Sequence, residues 1–391
     1  MTIVTIMAAV MAAVLMLPAV SDSLCIVRSL GRRRTRRGST ELPRLLFLVP
    51  AHDEEPLIES CVRSLRTLRY PADRSTVVVI ADNCTDRTAA RARAAGALCL
   101  ERHDPAFPGK PRAIAWALTR VALESHDTAI IIDADTVVDP GFGAAVARAA
   151  PLNHKVLQAY FDVANPRDSS LTRMAAVLAA ANFRFAYPLK RRVGVNAPLL
   201  GNGMCIGGGV LATHGWKAFT IAEDWELYAL YTAQGVSIET VEDARLFAQE
   251  ACSLRQSSTQ RQRWTAGKLT VLIRHIGALI RSRRVGLCQK LDSAAELSAP
   301  GPVVHLALAA SASVLIWLLK PPGAEWVLLA LWIPIVRLAA YALAGLTTQP
   351  DPIRTALAFT FLPVYAAWRL GTAVISLKMV GDARWVRTAR H

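Results

Sequence analysis

Four apolar stretches bracket a polar middle, and they decide where this chain can lie. The first twenty residues carry no Lys or Arg, and apolar character continues loosely to Leu30. Three more stretches lie at about 301–319, 325–346 and 354–377. Each is about the length a helix needs to cross the hydrocarbon of a bilayer. RRRTRR (32–37) follows the first stretch instead of preceding it. A cleaved signal peptide carries its positive charge ahead of the apolar run, so an uncleaved anchor is expected. Positive charge on the cytoplasmic side of a span then places residue 32 onward in the cytoplasm, and RSRR (281–284) agrees. The third C-terminal stretch is interrupted by Pro363 and Arg369 and can be broken or re-entrant. Arg337, inside the second, either faces protein or lines a polar path.

The net charge of +15 accompanies a mean hydropathy of +0.30. A chain both basic and hydrophobic points to a membrane protein more than to a nucleic-acid binder. Its Arg clusters flank apolar segments and are not interleaved with aromatics as a nucleic-acid groove requires. Seven cysteines stand singly, with no C-x-x-C, which argues against a disulfide framework and a zinc site. Cys61, Cys84 and Cys99 read as reduced cytosolic thiols.

Between 43 and 260 the pattern alternates. RLLFLVP (44–50), TVVVIAD (76–82) and TAIIIDAD (128–135) read as strands, with helices at 57–69, 86–95 and 110–124. Near-continuous apolar strands separated by helices predict a parallel sheet covered on both faces. Ligands of such sheets bind at the carboxyl ends of strands. His52–Glu55, Asp82 and Asp133–Asp135 all fall there.

These ends carry the chemistry. Asp133 and Asp135 offer hard oxygens suited to Mg²⁺ or Mn²⁺ shared with substrate phosphates. Asp82 reads as a nucleotide contact or as a cap of the next helix. His52 and Glu54 can reach the same nucleotide. Lys110, near a helix start, can meet a phosphate or simply be solvated. Glu223 and Asp224 can supply a general base or stabilise a helix N-terminus. GNGMC (201–205) does not fit a dinucleotide fingerprint, because Ile206 stands where a third glycine is needed; its glycines are expected to admit a sugar closely. Gln260, Arg263 and Trp264 form the most specific set: Arg to hold a departing diphosphate, Trp to stack a sugar. Beyond them Leu269, Leu272, Ile273, Ile276 and Ile280 share one helical face, with Lys268, Arg274, His275 and Arg281 on the other. This predicts a helix lying in the membrane interface, or one packed on the domain's own core.

Together the motifs resemble the family 2 glycosyltransferases, in particular membrane-embedded processive synthases of cellulose, hyaluronan, chitin and poly-N-acetylglucosamine. ADNCTD (81–86), DAD (133–135), AED (222–224) and QRQRW (260–264) carry the resemblance, and RWVRTAR (384–390) resembles the W-x-x-T-x-R tail of such proteins. It implies an α/β GT-A domain with flanking transmembrane helices, and inverting, metal-dependent transfer from a UDP-sugar to a growing glycan. It implies Asp82 on the nucleotide, Asp135 with Asp133 on Mg²⁺ or Mn²⁺, and Asp224 as base. Glu223, Gln260, Arg263 and Trp264 would serve diphosphate and acceptor. GNGMC stands where the family has an acceptor-side F-C-G-T motif and lacks its aromatic and Thr. The expected organisation is an anchor (1–30), a cytoplasmic GT-A domain (38–264), an interface helix (265–290), C-terminal membrane segments (300–378) and a basic tail (379–391). Export would involve partner subunits. The competing readings are single transfer to a polyprenyl-phosphate or other lipid, which QRQRW argues against, and a silent nucleotide-sugar-binding subunit, which intact Asp135 and Asp224 argue against.

Overall fold

The computed structural model describes residues 3–31 and 42–381. RRRTRR and RWVRTAR, on which the orientation of the chain rests, lie outside the described residues. Eight strands form one sheet: β1 (Leu45–Ala51), β2 (Ser75–Asp82), β3 (Leu98–Arg102), β4 (Thr128–Ile131), β5 (Val137–Val138), β6 (Val156–Val163), β7 (Met204–Gly207) and β8 (Ile238–Ala248), in the order β3-β2-β1-β4-β7-β6-β8-β5. β1 shows why the sheet is doubly covered. Leu45, Phe47 and Val49 enter one core with Ile58, Val62 and Leu65 of the helix Ile58–Arg66. Leu46 and Leu48 enter the opposite core with Ala113, Ile114 and Ala117 of the helix Lys110–Leu118. Period-two alternation of an all-apolar strand thus feeds two layers.

The expected parallel sheet is only half of what is found. β3, β2, β1 and β4 are parallel, but β7 runs antiparallel to both β4 and β6, and β5 antiparallel to β8. An apolar run reports burial on both faces and not direction. The direction of β7 is set by a glycine turn. Gly201 and Gly203 take φ of +78° and +73°, and Gly203 N donates to Ile131 O at 2.8 Å, at the end of β4. A Cβ on Gly203 would lie 2.4 Å from Leu246 Cδ2, so this glycine serves packing of the sheet, not the close approach of a sugar expected from the sequence.

The helix expected over 265–290 is instead Leu254–Arg281, followed by a second helix, Leu287–Ser298. It starts where the Ser253 hydroxyl accepts from Gln256 N, so QRQRW lies within it and not ahead of it. Its predicted faces are redistributed. Leu272 and Ile276 pack on the core of the sheet domain beside buried Val271 and Leu279, whereas Ile273 and Ile280 are exposed. Lys268 donates to Ala299 O at 2.8 Å and sits 4.0 Å from the Trp225 ring, and His275 meets Glu226 at 3.2 Å. Lys268 and His275, expected on a solvated face, turn into protein because the sheet domain supplies a carboxylate and a ring there, and the end of the next helix a carbonyl.

Among the described residues, four helices are long and apolar enough to cross a membrane: Ile6–Ser29, Pro302–Leu319, Ala324–Leu346 and Pro352–Met379. Arg337 faces protein: it pairs with Asp22 at 2.7 Å, and Tyr341 OH donates to the same carboxylate at 2.9 Å. Next to this, buried Lys190 meets Asp292 at 2.7 Å and Glu296 at 2.6 Å, and Ser21 donates to Asp292 at 2.7 Å. Polar links therefore run from the first apolar helix, through Asp292, to Lys190 of the sheet domain. Removing one member of a buried pair strands the other and costs about 3–5 kcal/mol. Lys190→Met should lower thermal stability in detergent by that order, and adding Asp292→Asn should recover part of it. A Lys190→Met chain as stable as the parent would show the pair to be energetically idle.

Candidate active site

The elements converge on one edge of the sheet. β1 ends into His52 and Glu54, β2 ends at Asp82, and the turn after β4 carries Asp133 and Asp135. Glu223 and Asp224 open the helix Glu223–Ala233. Gln260, Arg263 and Trp264 lie in the helix Leu254–Arg281. All of these and Lys110 line one cleft of about 1570 Å³. Every site residue expected from the sequence is therefore brought to a single cavity.

Their neighbours refine the picture. Lys110 is half-buried and engaged: its Nζ donates to Asp133 Oδ1 and Gly201 O, each at 2.6 Å, and lies 3.5 Å from Glu223 Oε1. Burial disfavours its charge, but Asp133 and Glu223 outweigh burial and hold its pKa above the ordinary lysine value. Asp82 is buried and held: Arg102 Nη1 and Asn83 Nδ2 donate to Oδ1 at 2.5 and 3.1 Å, and Gly109 N donates to Oδ2 at 3.1 Å. His52 Nδ1 lies 2.7 Å from the Asp82 carbonyl. Asp133 N donates to Asn202 Oδ1 at 3.1 Å, and Asn202 Nδ2 donates to Thr136 Oγ1 at 2.7 Å. Thr136 Oγ1 in turn donates to Asp135 Oδ1 at 3.3 Å. Asn202, in the GNGMC turn, thus ties that island to the acid pair. Trp264 is 42% exposed, with the Arg261 guanidinium 4.8 Å from its ring and Arg261 paired with Glu250 at 3.2 Å.

A profile of the family described as "Glycosyltransferase like family 2" matches residues 43–267, more than half of the chain. This chain belongs to that family. A glucomannan 4-beta-mannosyltransferase of Arabidopsis thaliana is 23% identical over 272 residues, covering 65% of this chain and 48% of that protein. A beta-monoglucosyldiacylglycerol synthase of Synechocystis is 30% identical over 206 residues, covering 47% of this chain and 39% of that one. The chain thus spans less than half the length of each of these two relatives. Among solved structures, a mannosyltransferase of Pyrobaculum calidifontis shares the fold with a TM-score of 0.58 at 19% identity, over 95% of this chain and 98% of that one. The domain has the GT-A fold and the protein is a glycosyltransferase.

In this glycosyltransferase Arg102 and Asn202 escaped sequence reading. Arg102 ends the LCLER run and looks like any surface arginine, yet it is 5% exposed. Asn202 was read only as part of a glycine motif. All seven cysteines are free thiols, with Cys61 and Cys205 buried and Cys84 and Cys99 half-buried.

The electrostatics separate the two acids of the AED motif. Burial raises the pKa of Glu223 against the pull of Lys110. Burial, reinforced by the Glu223 charge, pushes Asp224 up to about 7 from the ordinary 3.8. The folded protein therefore keeps the Asp224 proton to about pH 7, while the unfolded chain releases it near 3.8. Ionised Asp224 then destabilises the fold increasingly as pH rises through that window. Asp224→Asn should gain stability over the parent as pH is raised from about 4 to about 7, levelling on the order of 1–3 kcal/mol. Thermal unfolding across this range checks it, and a gain independent of pH would contradict the shift.

Proposed function

We propose that this enzyme transfers a hexose or N-acetylhexosamine from a nucleotide-sugar, most simply a UDP-sugar, with inversion, to a glycan growing at the cytoplasmic face of a membrane. The observation that supports it most is the placement of QRQRW and AED residues on one cleft with the DAD acids. The acceptor hydroxyl attacks the anomeric carbon, its proton passes to Asp224, and the bond to the diphosphate breaks. Both acids are raised by burial, but Lys110 engages Glu223 and opposes its rise, which leaves Asp224, at about 7 and beside the Gly201 turn, as the carboxylate for the base. A base with a pKa near the working pH both exists ionised and holds the proton it takes.

The cleft fits a divalent cation. Asp133, Asp135, Glu223 and Asp224 contribute four carboxylates, and Lys110 is the ammonium placed among them. Hard oxygens in excess over cations are the donor set of Mg²⁺ or Mn²⁺. Asp135, with Asp133, would hold the ion, which when bound neutralises the departing diphosphate. The Pyrobaculum mannosyltransferase is described with GDP-mannose and Mn²⁺, in keeping with a nucleotide-sugar held beside a divalent ion, whichever the nucleotide. Asp82, set by Arg102, and His52 and Glu54 line the end of the cleft assigned to the nucleotide. Gln260, Arg263 and Trp264 serve diphosphate and acceptor, Trp264 through its half-exposed ring.

A second reading, single transfer to a lipid acceptor, draws on the diacylglycerol-glycosylating relative and on the four apolar helices. Product length separates the two. Incubation of membranes holding the protein with labelled nucleotide-sugars should give product only with Mg²⁺ or Mn²⁺. Full activity in chelator would overturn the metal assignment. Asp224→Asn should keep nucleotide-sugar affinity and lose on the order of 10²–10⁴-fold in rate. A dead Glu223→Gln beside an active Asp224→Asn would move the base by one residue.

If Trp264 stacks the acceptor, Trp264→Ala should shorten the product more than it slows donor hydrolysis. Normal-length product from that variant would remove Trp264 from the acceptor site.

A further inference from the structure

Arg112 stands in the first turn of the helix Lys110–Leu118 and lines the rim of the cleft. Its guanidinium carbon lies 4.2 Å from the Phe219 ring centroid and 5.4 Å from that of Phe107. Both rings also line the cleft, and both are exposed, Phe219 at 38% and Phe107 at 58%. Among the described residues Arg112 has no carboxylate partner. This sets it apart from other cations around the site. Lys110 is committed to Asp133 and Glu223, Arg102 to Asp82 and Asp104, and Arg261 to Glu250.

Stacking occupies the faces of a guanidinium and restricts its rotation, while the in-plane N–H edge stays available to a planar or tetrahedral oxyanion. Such an edge binds phosphate oxygens in bidentate fashion. The closer ring, Phe219, belongs to the loop that leads into Asp224. Glu226 fixes that loop, its Oε2 accepting from Phe219 N at 2.8 Å and Thr220 N at 2.9 Å. Phe107 is held in turn by Arg102, whose Nη2 donates to its carbonyl at 2.8 Å, so Arg112 sits between the Phe107 loop and the one leading into Asp224.

We propose that Arg112, held flat by Phe219 and Phe107, binds a phosphate group of the acceptor, close to the hydroxyl that attacks. The acceptor class is a membrane-borne phosphate ester with a free hydroxyl, such as a sugar or polyol carried on a lipid phosphate. This rests on the assignment of Asp224 as base.

The test measures binding, so it does not depend on turnover. The full chain in detergent is first saturated with a nucleoside diphosphate and Mg²⁺, which fills the donor's phosphate site. Dihexanoyl-phosphatidylglycerol and dihexanoylglycerol are then titrated as probes with and without a phosphate. The parent should prefer the phosphate-bearing probe by about tenfold, the scale of one charge-assisted contact. Arg112→Gln should abolish that preference, and Arg112→Lys, which keeps charge but not the stacked plane, should restore only part. Phe219→Leu should weaken it while keeping the loop packed. Unchanged unfolding temperatures show that these variants fold. No preference in the parent, or an equal preference in Arg112→Gln, would overturn the proposal. So would weakened nucleoside diphosphate affinity in Arg112→Gln with lipid binding unchanged, which would put the phosphate on the donor. Failure of Asp224 as base would appear differently, as transfer that survives Asp224→Asn.

Discussion

The cleft depends on one half-buried ammonium. Lys110 joins three pieces of chain far apart in sequence: Asp133 after β4, the carbonyl of Gly201 in the turn before β7, and Glu223 at the start of a helix. Carboxylates so close together repel, and burial worsens the repulsion by removing water. A single cation among them makes the arrangement tolerable without neutralising it. The residue of uncompensated charge shows in Asp224, whose proton affinity is raised to about the neutral range. A cleft with every carboxylate paired would be more stable and would hold no carboxylate that titrates near neutrality.

The second constraint is the junction with the apolar helices. Asp22 and Ser21, near the end of the first such helix, reach Arg337, Tyr341 and Asp292, and Lys190 binds Asp292 and Glu296. Buried ions are expensive to leave unpaired, so these links hold only when both parts sit in one arrangement. The helix Leu254–Arg281 belongs to both parts. It carries Gln260, Arg263 and Trp264 into the cleft, packs Val271 and Leu279 on the enzyme core, and leaves Ile273 and Ile280 exposed. The Gln260–Trp264 wall of the cleft is therefore built on an element that the apolar helices also touch.

Much of this was legible in the chain alone, and the reason is local. Strand ends, acidic pairs and the QRQRW island are contiguous motifs, and a strand that ends in carboxylates delivers them to one sheet edge whatever the rest does. That is why His52, Asp82, Asp133 and Asp135 arrive together. Apolar stretches of membrane-crossing length are equally local, since span length follows from rise per residue. The family also follows from these motifs, in their order and spacing.

What only the tertiary structure decided concerns partners distant in sequence. The direction of β7 followed from a glycine turn packed under Leu246, which no periodicity encodes. Lys110 was an exposed-looking helix-start lysine until Asp133, Gly201 and Glu223 closed around it. Arg102 was an ordinary strand-end arginine until it met Asp82, twenty residues away. The faces of the helix after QRQRW were redistributed because Lys268 and His275 found partners in the enzyme domain. Sequence patterns report which side chains prefer water. Which charge neutralises which is a matter of a few ångströms between separate elements, and that distance exists only in the folded chain.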